Sequence, residues 1–412
     1  MFKSRPMALG YVALALFVLI SACARGVGET FAVFLLPVSH DLGWTRAEAA
    51  SIYAVLMLCL GLFSPVAGRL FDRFGPAILF PVGMACLAAG PLMASQLTKL
   101  WQFYLCLSVV VGFGAASLGI AVQSALLSRW FAGSLTTAIA VVSGAAGIGV
   151  MTFSPLTQYL IDDLGWRDAY GGVGLIAACI GLIVAIGPWR RIAAGRPGLE
   201  RPTQGATSAP SAAWTFRKAV RSRPFWSLFS VHILTASSMF SVQPQVVAFL
   251  VESGFDPILA ASAFGVAGIS ATVGLLIFGV VADRMGALLS VTLSYCLTII
   301  GYGILIALAL TQSIYLLWAF VILYGASFGS RGPVISALTA RLFGRGPDLG
   351  LIMGAIFLGM GTGAAIGATM GGIIRDLTGG YLYVIAWALA TIAIPPTVFW
   401  LVPEIKAVAR RR

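Results

Sequence analysis

Arg25, Glu29 and Arg331 are ionisable side chains set deep inside long apolar stretches of the sequence. A guanidinium presents a planar fork of donors that grips a carboxylate through two parallel hydrogen bonds, and a carboxyl group in apolar surroundings can carry a proton. Arg25 and Glu29 stand four residues apart, which puts them on one face of a helix. Two readings are open for that pair. It is an internal ion pair that neutralises both groups, or Arg25 exchanges partners with an incoming anion while Glu29 takes a proton. Arg331 has no acid within a helical turn, and Tyr324, Ser327 and Arg331 follow i, i+3, i+7 spacing. That stripe of hydroxyls leading to a guanidinium describes an anion site. The competing reading has Arg331 snorkelling, or bonding carbonyls freed where Gly329, Gly332 and Pro333 let the helix bend. His232 is a proton carrier or a hydrogen-bonded packing residue. Gln123, Gln243 and Gln245 offer uncharged amides that suit substrate oxygens and serve equally as glue between helices.

The elements that must position these residues follow from composition. Charged residues make up 10% of the 412-residue chain and hydrophobic ones 59%, with a mean hydropathy of +0.97. A soluble domain carries about 25% charged residues, so water is not the main solvent of this surface. Apolar runs long enough to cross a ~30 Å hydrocarbon core lie at 10–36, 48–70, 77–96, 101–127, 136–160, 168–188, 224–250, 258–282, 287–310, 314–340, 350–374 and 379–402. Backbone groups in lipid must be satisfied internally, which allows helices or a closed barrel. These runs are continuous rather than alternating, so they predict twelve transmembrane helices, named here spans 1 to 12. Residues 1–23 carry features of a secretion signal, but cleavage at Cys23 would remove half of span 1, and the run is read as an intact span.

The net charge of +12 is a topology signal rather than a nucleic-acid footprint. With the N-terminus in the cytoplasm, twenty basic residues fall on inner segments and four on outer loops, leaving only Arg25 and Arg331 inside spans. By the positive-inside rule this predicts a multi-pass protein of the cell inner membrane with both termini cytoplasmic. The six cysteines all fall inside apolar runs with no paired spacing, so neither a disulfide framework nor a metal motif is expected. The glycine-rich faces of span 5 (Gly144, Gly147, Gly149) and span 11 (Gly354, Gly359, Gly361, Gly363, Gly367, Gly371) lack the Gly-Lys-Ser/Thr of a nucleotide loop and read as small-residue packing. No cofactor is expected. No paired carboxylates or nucleophile–base set suggests an enzyme.

The chain is internally duplicated. Gly68-Arg69-Leu70-Phe71-Asp72-Arg73-Phe74-Gly75 returns as Gly279-Val280-Val281-Ala282-Asp283-Arg284-Met285-Gly286, at an offset of 211. The stretch from Ser124 to Phe131 returns at Ser336 to Phe343, and Ile161-Asp162-Asp163-Leu164 matches Ile374-Arg375-Asp376-Leu377. Nearly constant offsets at matching places mark a tandem repeat. The expected organisation is a six-helix bundle over 1–188, a Pro/Gly/Ser/Arg-rich cytoplasmic linker over 189–223 and a second bundle over 224–412.

With Gly-x-x-x-Asp-Arg-x-Gly between spans 2 and 3 and again between spans 8 and 9, the chain resembles the major facilitator superfamily over essentially its whole length. Gly43-Trp44-Thr45-Arg46, Arg129-Trp130-Phe131, Gly165-Trp166-Arg167 and Arg331-Gly332-Pro333 are similar to its proteobacterial branch related to monocarboxylate and oxalate transporters. The resemblance implies an all-α fold of two pseudo-symmetric six-helix bundles in which spans 1, 4, 7 and 10 line the central path. Arg25, Glu29, His232, Gln123, Gln243 and Arg331 all lie on those four. It also implies that Gly68, Asp72, Arg73, Gly279, Asp283 and Arg284 form a gating latch. In that latch the glycines permit a tight turn, the aspartates face helix N-termini, and the arginines pair with acids or lipid phosphates. The chain departs from the branch in span 8, which has Ala271 and Leu275 where an acid–base pair is usual, and at Glu29, which reverses the sign of a customary base.

These residues together lead to a proton-coupled symporter of a small organic anion, with a carboxylate as the expected class, working as a monomer in membrane lipid. Arg331, Arg25, Tyr324, Ser327, Gln123 and Gln243 would contact substrate, and Glu29 and His232 would carry protons. The alternative is an exporter of apolar or cationic compounds, in which Arg25–Glu29 is structural.

Overall fold

The computed structural model describes residues 5–131, 134–195, 214–343 and 348–409. Among the described residues, twelve helices are long and apolar enough to cross a membrane: Ala8–Asp41, Arg46–Phe74, Pro76–Ala94, Leu100–Leu127, Thr137–Leu164, Trp166–Ala185, Arg223–Glu252, Pro257–Met285, Ala287–Thr311, Ile314–Phe343, Leu351–Thr378 and Leu382–Leu401. Spans 1 to 12 take these bounds from here on. Among the described residues there is no strand. Several helices outlast the apolar runs that predict them, because the backbone ladder continues through polar residues once it is started. Span 1, for instance, ends at Asp41 rather than near 36. Of the linker, 196–213 lies outside the described residues, and short helices at Trp189–Ala194 and Phe216–Val220 flank it. Large apolar side chains such as Leu182, Leu310 and Leu401 stand exposed on the helices, the surface expected to meet acyl chains.

The chain divides into two compact units, Met1–Phe34 with Cys59–Ser208 and Leu35–Leu58 with Ala209–Arg412. In the first, span 5 lies on span 1 so closely that a Cβ added to Gly149 would sit 1.9 Å from the Ala22 carbonyl oxygen. In the second, spans 7 and 11 repeat the arrangement. Added Cβ atoms on Gly363, Gly367 and Gly371 would lie 2.2–2.4 Å from the carbonyl oxygens of Ile233, Ser237 and Ser241. Gly274 and Gly329 bring spans 8 and 10 together in the same way, against Ala326 and Ala271. The small-residue reading of these glycines follows from contact, since lipid gives helices no hydrophobic reason to associate and close backbone approach must supply it.

The duplicated motif is not built as its sequence suggests. Gly68 and Gly279 are inside helices, and no described atom lies within 4 Å of where their Cβ would be. The turns are made by the second glycine of each motif, Gly75 at φ 73° and Gly286 at φ 93°, a left-handed region that only glycine enters without strain. Pro76 then occupies the first helical turn of span 3, where its missing N–H is harmless.

Interruptions fall on three of the four spans that the resemblance assigns to the path. Span 1 breaks at Thr30, between helices Arg5–Glu29 and Phe31–Asp41, just past the Gly26 and Gly28 that loosen it. Span 4 carries a π-helical stretch at Tyr104–Val110 and a break at Leu118–Gly119. Span 7 tightens into a 3-10 turn at Gln243–Gln245 around Pro244, which cannot donate to the preceding turn. Span 10, expected to bend near Gly332, runs instead as one helix from Ile314 to Phe343.

Close packing of this kind makes a clear prediction. Gly149→Leu and Gly367→Leu should abolish the monodisperse folded peak in size-exclusion chromatography. Gly303→Ala, whose methyl would meet open space, should leave the melting temperature within about 2 °C of the parent.

Candidate substrate site

Arg331 is 4% exposed, so it does not snorkel. Its Nε–H donates to the Ser294 hydroxyl at 2.9 Å, and one Nη to the Ser294 carbonyl at 3.3 Å and to the Thr298 hydroxyl. The guanidinium carbon lies 4.4 Å from the centre of the Tyr295 ring, a cation–π contact. The other Nη donates to the Met239 sulfur at 3.1 Å. Among the described residues no carboxylate pairs with it. The freed-carbonyl reading does not apply, because the acceptors come from spans 7 and 9 rather than from span 10's own backbone.

Tyr324 and Ser327 join this cluster, but with their hydroxyls engaged. Tyr324 donates to the Met239 carbonyl at 3.3 Å, and Ser327 donates to the Tyr324 carbonyl at 2.7 Å while accepting from Thr298 at 2.8 Å. Ser294 bonds Ser330, Tyr295 bonds Thr235, and Tyr302 bonds Ser238. Spans 7, 9 and 10 thus share one hydroxyl network closed around one cation. Span 9 is a contributor absent from the candidates drawn from sequence. Its signal is present as Ser290, Ser294, Thr298 and Tyr302, a hydroxyl every fourth residue along one face of an otherwise apolar helix.

The remaining candidates do not gather there. Arg25 and Glu29, in the first unit, form the i, i+4 ion pair at 2.9 Å, with the Arg25 side chain 41% exposed and that of Glu29 4%. Gln123 donates to the Leu118 carbonyl at 2.6 Å and accepts from Ser21 at 3.2 Å, so its amide satisfies the break in span 4. His232 is buried, donates from Nδ1 to the Leu228 carbonyl at 2.9 Å and meets Phe357 edge-on at 5.1 Å. Gln243 is buried at the start of the span 7 turn. The amide of the adjacent Gln245 has no hydrogen-bond partner among the described residues.

A second polar cluster sits where spans 1 and 2 meet. Thr45 and Glu48 form a capping box at the start of span 2, each side chain accepting from the other's backbone N–H, at 3.2 and 2.9 Å. Both carboxylate oxygens of Asp376, at the end of span 11, accept the next two free amides, of Arg46 at 2.9 Å and Ala47 at 2.7 Å. Glu252, at the end of span 7, bridges Arg46 at 2.6 Å and Arg375 at 2.8 Å. These ties lie within the second unit, to which Leu35–Leu58 belongs. Burial, reinforced by Glu252, pushes the neighbouring Tyr381 phenol up to about 12, so it stays neutral here. The repeated motif leads one to expect a carboxylate on a helix N-terminus at Asp72 and Asp283. Both are exposed and, with Arg73 and Arg284, form no ion pair among the described residues. The arrangement occurs at Asp376 instead.

Twelve apolar helices with polar clusters buried among them describe a polytopic membrane protein. The chain belongs to the Major Facilitator Superfamily, whose family model matches residues 14–330. Monocarboxylate transporter 13 of Bos taurus is 28% identical over 361 residues, covering 88% of this chain and 82% of its own. The uncharacterized MFS-type transporter YhjX of Escherichia coli is 25% identical over 350 residues, covering 84% of each chain. The crystal structure of a mutant of the nucleoside transporter NupG superposes with a TM-score of 0.72 at 14% identity, over 95% of this chain and 100% of that one. That likeness concerns the fold alone.

The junction cluster sets two expectations. Asp376→Asn, which removes the charge from a helix N-terminus, should weaken the fold by about 1 kcal/mol in a denaturation experiment. Glu252→Gln leaves Arg46 and Arg375 without their shared carboxylate and should lower the melting temperature by about 2–4 °C, with part of the loss recovered in ~0.5 M salt. A salt-insensitive loss would remove the electrostatic explanation.

Proposed function

We propose that this transporter carries a small organic anion, a carboxylate, in symport with protons. The observation behind the reading is Arg331, a guanidinium buried among hydroxyls with no acid paired to it among the described residues. An uncompensated charge in a low-dielectric interior costs several kcal/mol unless hydrogen bonds and a counter-charge offset it. Hydroxyls supply the bonds here, and a substrate carboxylate supplies the missing charge. The likeness to monocarboxylate transporter 13 supports the same substrate class.

Proton coupling rests on Glu29. Its partner Arg25 is half-exposed, so an incoming carboxylate can compete for it while the buried Glu29 takes a proton. The two arginines and Glu29 carry one net positive charge when empty, and the same charge when a monoanion and a proton have both been loaded. Transport by alternating access of the two halves, 1–188 and 224–412, in a monomer of the inner membrane with both termini cytoplasmic completes the reading. Export of apolar or cationic compounds is the second reading, favoured by one observation: the Arg25–Glu29 pair is formed.

Uptake of labelled lactate and pyruvate into proteoliposomes separates the two. An inward proton gradient should drive accumulation, Arg331→Ala should reduce it at least about tenfold, and Glu29→Gln should leave exchange but lose the response to the gradient. No carboxylate uptake, or none that the gradient alters, contradicts the proposal. Full activity toward apolar cations in Arg331→Ala would establish the exporter.

A further inference from the structure

Arg331 is held unevenly. A guanidinium has five N–H donors, and the edge formed by Nε and one Nη is filled by oxygen acceptors from span 9, namely Ser294 and Thr298. The second Nη has one partner, the Met239 sulfur at 3.1 Å. A thioether is a weak acceptor, so a charged donor in the interior faces the least polar acceptor available to it. The other hydrogen of that Nη has no acceptor among the described residues. No such asymmetry is needed to bury an arginine, since a serine or an amide at 239 would satisfy it better.

The placement of Met239 adds to this. Its side chain is unbranched and polarisable, the type that adapts to irregular space and changes rotamer readily. Its carbonyl accepts from Tyr324, which anchors the backbone independently of where the side chain lies. The residue lies one turn before the 3-10 interruption at Gln243–Gln245, where span 7 departs from helical regularity.

We infer that Met239 is a displaceable lid on the anion site: its sulfur occupies the open edge of the Arg331 guanidinium when no substrate is bound, and the substrate carboxylate replaces it. This rests on the reading of Arg331 as the anion site and adds a specificity-determining residue to it. The carboxylate takes the Nη that Met239 releases, and the displaced thioether lies against the organic tail of the acid. The bulk at 239 then limits the length of that tail, and the sulfur sets a threshold that only a stronger, charged acceptor passes. A neutral amide lacks the charge of a carboxylate, and chloride lacks its directional oxygen acceptors, so neither matches it in acceptor strength and charge together.

The lid predicts a sign that a direct substrate contact does not. Removing the sulfur removes a competitor, so Met239→Leu, which nearly conserves volume, should bind acetate and pyruvate more tightly by about fivefold, the size of one modest hydrogen bond. Met239→Ala should in addition accept longer acids such as hexanoate. Equilibrium binding to the full-length purified protein measures both. In a sample labelled at the methionine methyl carbons, the signal missing from Met239→Leu should shift as pyruvate is titrated, and should stay fixed in Arg331→Lys. Weaker binding in Met239→Leu, or an unmoved Met239 signal while pyruvate binds in an Arg331-dependent way, overturns the lid and leaves the anion site standing. If pyruvate, acetate and hexanoate bind neither the parent protein nor its variants, the anion reading falls, and the lid falls with it.

Discussion

A single buried cation organises the second unit. Arg331 cannot be solvated by lipid or left bare, so spans 7, 9 and 10 must each bring oxygen, sulfur or an aromatic face to it or to its partners. The hydroxyls that do so are themselves chained, from Tyr324 through Ser327 to Thr298 and from Ser294 to Ser330. A network of this kind is strong only when nearly complete. Its one incomplete edge, toward Met239, is therefore the place where a ligand gains most. In the proposed mechanism structure and transport meet at that point, because the requirement that makes the fold bury a charge leaves it short of one counter-charge.

The helix packing around this network depends on residues chosen for smallness. Glycines on spans 8, 10 and 11 let backbones meet at distances that any side chain would prevent. The same device recurs in the first unit, where Gly149 meets Ala22 as Gly363 meets Ile233 in the second. The tandem repeat read from loop motifs is thus also a repeat of helix contacts. The halves differ in what they add to it. The first places an ion pair at the break in span 1, and the second places a guanidinium ringed by hydroxyls on an unbroken span 10.

Most of the fold was legible because lipid imposes few options. Twelve continuous apolar runs could become only helices, and their positions were recovered with boundaries shifted by some residues. Arg331, Tyr324 and Ser327 were legible as a group, since a charge in such a run has few explanations. What surrounds them was not. Ser294 and Thr298 belong to a hydroxyl stripe on span 9 that does not say which helix it faces, and Met239 carries no polar signal; only the register of spans 7, 9 and 10 makes them partners. The duplicated motif misled in detail for a similar reason. Its first glycines and its aspartates attract attention by recurrence, yet recurrence does not reveal which glycine turns the chain or which carboxylate reaches a helix end. Asp376 does the second of these through backbone amides 330 residues away in the chain, a pairing no local pattern encodes.

The central claim is that Arg331 lacks a counter-charge because the substrate brings it. Equilibrium binding of labelled pyruvate to the detergent-purified protein, free of any gradient, is the sharpest test when the parent is compared with Arg331→Lys and with Arg46→Lys as a control for loss of a guanidinium elsewhere. Arg331→Lys, which keeps the charge but loses the planar fork, should bind at least about tenfold more weakly, while Arg46→Lys should bind as the parent does. Equal affinity in all three would mean that the buried guanidinium serves the fold alone.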